Sequence, residues 1–150
     1  MTDDATSSCN SLLKLDNQLC FSVYALSRLI TKAYQPLLDA LDVTYPQYLV
    51  LLLLWEHQSR TVKELGEHLL LDSGTLTPLL KRMEQRGLLG RRRAEHDERS
   101  VIVSLLPAGQ ELQKLAENIP HKLGECFGLS VEQIGDLREQ LQPLIKRLAS

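Results

Sequence analysis

The chain has 150 residues, one domain's worth, and a domain of that length buries about 70% of its unfolded surface. Its 33 leucines far outnumber its 12 valines and isoleucines, which favours helices over sheet. Three cysteines without a Cys-x-x-Cys pair argue against a disulfide scaffold or a standard zinc site. The polar N-terminus is not a signal peptide, and the longest apolar run (48–55) is far shorter than the roughly 18 residues of a membrane span. We therefore expect a cytoplasmic protein with no membrane partner.

The net charge of −2 conceals an uneven distribution of charge along the chain. Between Lys81 and Arg99 lie seven basic and four acidic residues, an excess of three positive charges on a chain that is otherwise acidic. A basic stripe on an acidic protein attracts a polyanion to one face only. A stripe of this kind on its own is more often an ordinary solvated surface, so its meaning depends on the elements that carry it.

The first half of the chain shows a polar tail followed by two helical segments. Residues 1–10 have no apolar period and are predicted to be disordered. Apolar residues recur at helical spacing over 12–33, and either Asp16 or Asn17 is a candidate cap for that helix. A second helix is predicted over 46–58. It begins with a proline and is apolar on nearly all sides, as expected of the central core element.

Two short helices with a turn between them follow. Thr61 and Glu64 form a capping box, in which each side chain accepts from the other residue's backbone N–H, at the start of the first helix. Asp72 or Ser73 caps the next helix, which ends at Gly87, a residue suited to the left-handed conformation after a helix. This order predicts a helix-turn-helix.

A basic hairpin follows the second of these helices. The segments 88–92 and 100–105 are predicted to pair as strands, with a polar stretch between them that forms a wing. Helix, turn, helix and basic hairpin together make a winged helix-turn-helix, predicted over 46–106. The partner expected for this module is double-stranded DNA.

Two further helices complete the chain. One begins at Pro107 and continues past residue 119, and the last begins with a second capping box formed by Ser130 and Gln133. In the last helix apolar residues repeat at spacings of three and four, which is typical of a coiled-coil seam, and Pro143 is expected to kink it. The seam consists of Ile134, Leu137, Leu141, Leu144 and Leu148.

The second helix of the helix-turn-helix has the side chains of a recognition helix. Such a helix needs small or hydrogen-bonding side chains at its N-terminal end to touch base edges in the major groove, and cations further along for phosphates or guanine. The residues predicted to face DNA are Ser73, Thr75, Thr77, Lys81, Arg82, Gln85 and Arg86.

The wing requires a cation at its tip to enter the adjacent minor groove, where narrow A·T tracts concentrate negative potential. Arg99 is the candidate for this tip, with Asp97 expected to brace its guanidinium. Arg91, Arg92 and Arg93 are expected to hold the flanking DNA backbone.

These features resemble the MarR family of dimeric winged-helix regulators and, within it, the organic hydroperoxide resistance regulators. The resemblance covers residues 15–148 and rests on the segments 15–21, 45–48 and 71–80 and on the wing motif 97–99. It implies a mainly α fold with a small antiparallel β-wing.

The resemblance also implies how the chain is organised. A single domain over 11–150 would contain the winged helix-turn-helix, 46–106, and two flanking segments, 11–45 and 107–150, whose helices form a homodimer. The seam in the last helix is consistent with that dimer.

Cys20 is the candidate sensing residue. If its helix begins near Asp16, the free N–H groups and the dipole of the first turn favour the thiolate, the form that attacks peroxide. Most free cysteines are small buried hydrophobic residues, and without the resemblance that interpretation would be preferred. The resemblance implies a peroxide-reactive thiol that is hydrogen-bonded by Tyr34 and Tyr45 of the partner subunit. Tyr24 lies one turn after Cys20, on the same helical face.

Cys126 lies between the last two predicted helices. In one subgroup of the family a cysteine at this place forms a disulfide with the sensing cysteine of the other subunit, and the alternative is an inert core cysteine. The presence of Cys126 places the chain in that two-cysteine subgroup. The resemblance therefore implies a repressor that binds operator DNA when reduced and releases it when organic hydroperoxide oxidises Cys20, which then forms an intersubunit disulfide with Cys126.

Three alternatives stay open or are disfavoured at this point. A MarR-type regulator with inert cysteines, relieved by a small ligand, is the main one. A thiol peroxidase would need an activating motif such as Pro-x-x-x-Thr-x-x-Cys, which does not precede Cys20, so the chain is not expected to be an enzyme. A metal sensor is disfavoured because the four histidines have no paired ligand spacing, and no cofactor is expected.

Overall fold

The computed structural model describes residues 11–150, so the predicted disordered tail, 1–10, lies outside the described residues. The helices are α1 (Leu19–Asp39), α2 (Tyr45–His57), α3 (Val62–Leu69), α4 (Ser73–Gln85), α5 (Pro107–Ala116), α6 (Ile119–Phe127) and α7 (Val131–Ala149). The strands are β1 (Ser59–Thr61), β2 (Leu89–Ala94) and β3 (Asp97–Leu105). The predicted fold class, mainly α with a small antiparallel wing, is confirmed. The structure divides into two compact units, one up to Tyr34 and one over Gln35–Ser150, with the boundary inside α1.

The small sheet is antiparallel and has the strand order β1-β3-β2. Strand β1 was not predicted, because three residues are too few to show a period-2 pattern. Arg60 of β1 pairs with Val103 of β3, and Arg91 of β2 pairs with Val103 from the other side. The hairpin is longer than predicted, because β2 and β3 extend until only the two-residue turn 95–96 separates them.

The predicted start of the first helix was wrong. Helix α1 begins at Leu19, and Asp16 and Asn17 belong to a preceding 3-10 turn. The Asn17 amide Nδ2 donates 2.6 Å backwards to the Ser11 carbonyl, so it does not cap α1. At its other end the helix continues past the predicted limit to Asp39.

The caps of the helix-turn-helix follow the sequence pattern. In the predicted capping box the Glu64 N–H donates 3.1 Å to the Thr61 hydroxyl, and the Thr61 N–H donates 2.7 Å to the Glu64 carboxylate. The cap of α4 is Asp72, whose carboxylate accepts from the Thr75 N–H at 2.7 Å. Gly87 has the expected left-handed conformation, with φ of 72°. Local hydrogen bonds therefore fix where α3 and α4 begin.

Two helices replace the single one predicted after Pro107. Helix α5 ends at Ala116 and α6 begins at Ile119, with Pro120 in its first turn, where a missing N–H costs little. The predicted capping box of Ser130 is present at the start of α7, which continues through Pro143 to Ala149.

The core of the larger unit lies around α2, as its apolar sequence predicts. The largest side chains without solvent exposure come from α2, α3, α4 and the two long strands of the wing, so the winged helix-turn-helix has its own apolar interior. They are Val50, Leu51, Leu54, Leu65, Leu76, Leu80, Met83, Leu89 and Val103. No helix in the described part of the chain has the length and hydropathy needed to cross a bilayer.

Candidate DNA interface and redox site

Helix α4 separates an apolar face from a polar one. Its buried residues are Leu76, Leu79, Leu80 and Met83, the stripe expected from the sequence. The residues predicted to contact DNA are all exposed: Ser73, Thr75, Thr77, Lys81, Arg82, Gln85 and Arg86. Helical periodicity separates the buried stripe from these residues, because positions three and four apart share a face.

Arg86 differs from its neighbours because its guanidinium has partners inside the protein. It donates to the carbonyls of Asp42 and, at 3.5 Å, of Leu41, and it lies 3.4 Å from the Asp42 carboxylate. The structure therefore gives Arg86 a role in tying the end of α4 to the loop before α2. Its predicted contact with DNA stays a prediction.

Arg91 also has an internal partner. Its backbone N–H donates to Oε2 of Glu84, near the end of α4, and its Nη2 donates to Oε1 of the same carboxylate, each at 3.1 Å. These hydrogen bonds lower the pKa of the Glu84 carboxyl. Sequence reasoning missed Glu84, since nothing in its local pattern marks it as a partner of Arg91.

The wing corrects two predictions about Arg99. Residues 95–96 form the turn, so Arg99 is not at the tip but lies in β3, within a register shift between Arg93 and Ala94 of the facing strand. The Asp97 carboxylate accepts from the backbone N–H of Arg99 at 3.0 Å, so it braces the backbone rather than the guanidinium.

Arg92 and Arg93 are exposed on β2, where they were expected to meet the DNA backbone. Arg93 Nη1 also donates 2.9 Å across the hairpin to the carbonyl of Glu98, which holds this side chain against the wing.

A groove with a volume of about 570 Å³ lies between α3, α4 and the wing. Its lining brings together Ser73 and Thr77 with the cations Arg91 and Arg99, so residues far apart in the sequence share one surface. Lys63 of α3 adds a cation that sequence reasoning missed, although its place in the first turn of the helix before the recognition helix was a usable signal. Glu67 also lines the groove and Arg91 is paired with Glu84, so Lys63 and Arg99 are the lining cations left to attract a polyanion.

Cys20 is the second residue of α1 and is exposed, as is Tyr24 one turn later. The prediction that Cys20 lies in the first turn of a helix is confirmed. The guanidinium carbon of Arg28 lies 5.4 Å from the centre of the Tyr24 ring, a cation–π contact along the same face.

Tyr45 is the first residue of α2 and is half-buried, and its ring centre lies 6.5 Å from that of the buried Tyr48. Burial raises the pKa of the Tyr45 phenol above its ordinary value of 10.0. Tyr34, in α1, is half-buried too.

Cys126 is the last residue but one of α6 and is exposed. Both Cys20 and Cys126 are exposed in the single chain, so neither is a core cysteine of that chain. Within residues 11–150 no group of three or more His, Cys, Asp or Glu side chains is placed to hold a metal ion.

Comparison with known proteins agrees with this geometry. A family model described as transcriptional regulator SarA/Rot matches residues 32–117. The organic hydroperoxide resistance transcriptional regulator of Bacillus subtilis is 59% identical over 127 residues, which span 85% of this chain and 84% of that protein.

Solved structures match over nearly the whole chain. The structure of reduced AbfR bound to DNA has a TM-score of 0.77 at 39% identity, covering 94% of this chain and 99% of that one. The disulfide-formed structure of AbfR, a protein of Staphylococcus epidermidis, has a TM-score of 0.64 at 39% identity, covering 93% of this chain and 98% of that one.

The winged helix with its exposed polar recognition helix, together with these relatives, places the chain in the class of DNA-binding transcriptional regulators. The chain belongs to the organic hydroperoxide resistance transcriptional regulators, which the SarA/Rot family model also matches, and it has the fold of the MarR-family regulators.

Proposed function

We propose that the protein is a homodimeric, redox-sensing repressor that binds operator DNA while Cys20 is reduced and releases it after oxidation by an organic hydroperoxide. The observation that carries the proposal is an exposed thiol in the first turn of a helix, on a chain that also has a cationic winged helix. The reaction is stoichiometric sensing and not enzymatic turnover.

The chemistry requires two steps. The Cys20 thiolate attacks an oxygen of the hydroperoxide, the O–O bond breaks, and the departing alkoxide takes a proton to leave as an alcohol. The thiol of the partner subunit's Cys126 then attacks the Cys20 sulfenic acid, a disulfide forms and water leaves. The two thiols lose two electrons and the hydroperoxide gains them, so external thiols can reverse the change.

Three tyrosines are proposed to stabilise the thiolate. The family resemblance assigns hydrogen bonds to Tyr34 and Tyr45 of the partner subunit. Tyr45 is half-buried at the start of α2, and its phenol is a hydrogen-bond donor. Tyr24 follows Cys20 by one turn and is held by Arg28.

Disulfide formation is proposed to release DNA by moving the two DNA-binding halves. A disulfide needs Cα atoms about 4.4–6.8 Å apart, and the recognition helices of a dimer must stay about 34 Å apart to meet successive major grooves. The solved forms of AbfR support this link, because the DNA-bound structures are of the reduced and the overoxidised protein and a separate structure is of the disulfide form.

The DNA contacts are proposed for two surfaces. The exposed N-terminal face of α4 would enter the major groove, and the wing cations Arg92 and Arg99 would neutralise phosphates or enter the minor groove. Binding should therefore weaken steeply with salt, and a flat plot of log affinity against log salt concentration would contradict the assignment.

The test combines a non-reducing gel with a DNA titration. Purified protein is treated with one equivalent of cumene hydroperoxide, and operator-length DNA is titrated by fluorescence anisotropy before and after treatment. Cys20→Ser and Cys126→Ser are compared with Cys9→Ser, a matched control because the proposed mechanism does not use Cys9.

The proposal expects a covalent dimer that needs Cys20 and Cys126 but not Cys9, and its appearance should parallel the loss of DNA binding. If Cys20 controls release without a covalent dimer, then Cys126 is not the resolving residue. If neither cysteine matters, the signal is a small ligand. Turnover of many equivalents of peroxide would instead indicate a peroxidase.

A further inference from the structure

The recognition helix and the wing are joined by one ion pair that the sequence does not predict. Glu84 lies in the last turn of α4 and Arg91 is the third residue of β2. Both oxygens of the Glu84 carboxylate are used, one by the backbone N–H of Arg91 and one by Nη2, each at 3.1 Å. A bond to the backbone fixes the strand itself, and not only a side chain.

The surroundings of Arg91 make this contact more than a surface salt bridge. The Arg91 side chain is only 24% exposed, and its Nε is buried without a hydrogen-bond partner. Among the described residues Glu84 supplies the only carboxylate paired with this guanidinium. The Glu84 side chain is 37% exposed, so the pair is partly buried, and loss of its carboxylate would leave the Arg91 cation without its partner.

The strand pairing extends this constraint to the rest of the wing. Arg91 pairs with Val103, a fully buried residue of β3, so a shift of β2 at this point moves the whole hairpin. The cations proposed to contact DNA, Arg92 and Arg99, lie further out on the same hairpin.

We propose that Glu84 is a positioning residue for DNA binding, which holds the wing at a fixed angle to the recognition helix so that both enter their grooves together. In this arrangement Arg91 is the internal partner of Glu84 and not a phosphate contact. The inference rests on the proposed DNA-binding function and adds how its two contact surfaces are kept in register.

The direction in which Glu84→Gln changes the affinity for DNA distinguishes a positioning role from a purely electrostatic one. Glu84→Gln removes a negative charge close to the DNA-facing surface, which by charge alone strengthens binding to a polyanion. The positioning role predicts the opposite, a loss of about tenfold in affinity for operator-length DNA. Glu95→Gln is the matched control: it removes an exposed charge from the turn of the wing, away from Arg91, and should bind slightly more tightly.

A double-mutant cycle with Arg99→Ala supplies a readout that a purely structural role would not move. If Glu84 positions the wing, Arg99→Ala should cost much less in the Glu84→Gln background than in the wild type, because the wing contact is already lost. Equal costs in the two backgrounds, or tighter binding by Glu84→Gln, would overturn the proposal.

Hydrogen exchange of the DNA-free protein distinguishes failure of this inference from failure of the DNA-binding function. Backbone amides of β2 and β3 should exchange faster in Glu84→Gln than in the wild type, whereas amides of α2 should not change. Unchanged exchange in the wing overturns the positioning role whatever the DNA titration gives. If the wing amides exchange faster in Glu84→Gln than in the wild type, but the wild type does not bind DNA, the proposed function is overturned and the positioning of the wing by Glu84 is not.

Discussion

Helices α4 and α7 are both amphipathic, but only α4 buries its apolar stripe within the chain. Leu80 of α4 has no solvent exposure, whereas Leu137 and Leu144 of α7 are 49% and 41% exposed. None of the residues of α7 is buried. The stripe of α4 completes a core made by this chain, and that of α7 has the character of a surface covered by a second copy. The comparison therefore supports the proposed homodimer.

The largest difference between the two helices should appear on truncation of a leucine. Leu80→Ala is expected to lower the free energy of unfolding by about 2–5 kcal/mol, because it leaves a cavity in a packed core. Leu144→Ala should affect unfolding mainly through the dimer, so its urea midpoint should depend on protein concentration. Urea denaturation at two concentrations measures both effects. Equal and concentration-independent losses would show that α7 packs on its own chain.

The next effect concerns association alone. Leu141→Asp places a charge in the exposed seam of α7 and is expected to weaken dimerisation by about 100-fold, because a charge is costly to bury in an apolar interface. Gln140→Asp, a neighbouring exposed position outside the seam, is the control. Light scattering during gel filtration gives the mass. A Leu141→Asp protein that remains a dimer at low concentration would place the interface elsewhere.

Two arginines of α4 should separate stability from DNA binding. Arg86→Gln removes charged hydrogen bonds to the loop before α2 and is expected to cost about 1–3 kcal/mol of stability. Arg82→Gln changes an exposed side chain without an internal partner among residues 11–150, so it should leave stability within about 0.5 kcal/mol but weaken DNA binding. Thermal unfolding and anisotropy test the pair. If Arg86→Gln weakened DNA binding without lowering stability, and Arg82→Gln did the opposite, Arg86 would be the residue that contacts DNA.

The smallest effect is expected at the start of α3. Hydrogen bonds from Thr61 lower the pKa of Glu64 below its ordinary value of 4.5, so the folded state is stabilised above that value and loses this contribution as the pH falls through the lowered pKa. Glu64 is solvent-exposed, which limits the effect to about 0.5 kcal/mol or less. Glu64→Gln keeps the capping geometry and should flatten the dependence of stability on pH below the ordinary carboxyl value of 4.5. If Glu64→Gln has the same dependence of stability on pH as the wild type, other carboxylates cause that dependence.

Local patterns in the sequence were enough to predict much of the winged helix. The capping boxes of Thr61 and Ser130 and the glycine after α4 are set by residues within a few positions of each other, and all three are confirmed. The helix-turn-helix order and the place of Cys20 in the first turn of α1 follow from the same short-range signals.

Predictions that depended on contacts across the fold were less successful. Arg86 and Arg91 look like free cations in the sequence, but their partners are 44 and seven residues away in the chain and become neighbours only through packing. Arg99 was placed at the tip because the length of the hairpin and its register shift were not visible in the sequence.

The sequence by itself determined the type of fold and the buried stripe of the recognition helix, because helical periodicity and capping act over one or two turns. The two candidate redox cysteines were predicted from the family resemblance. Only the tertiary structure decided which cations remain free for DNA and which are held by Asp42 and Glu84. It also brought Lys63 into the groove beside α4. The physical reason is that ion pairs depend on distance in space, which a linear sequence specifies only after the chain has folded.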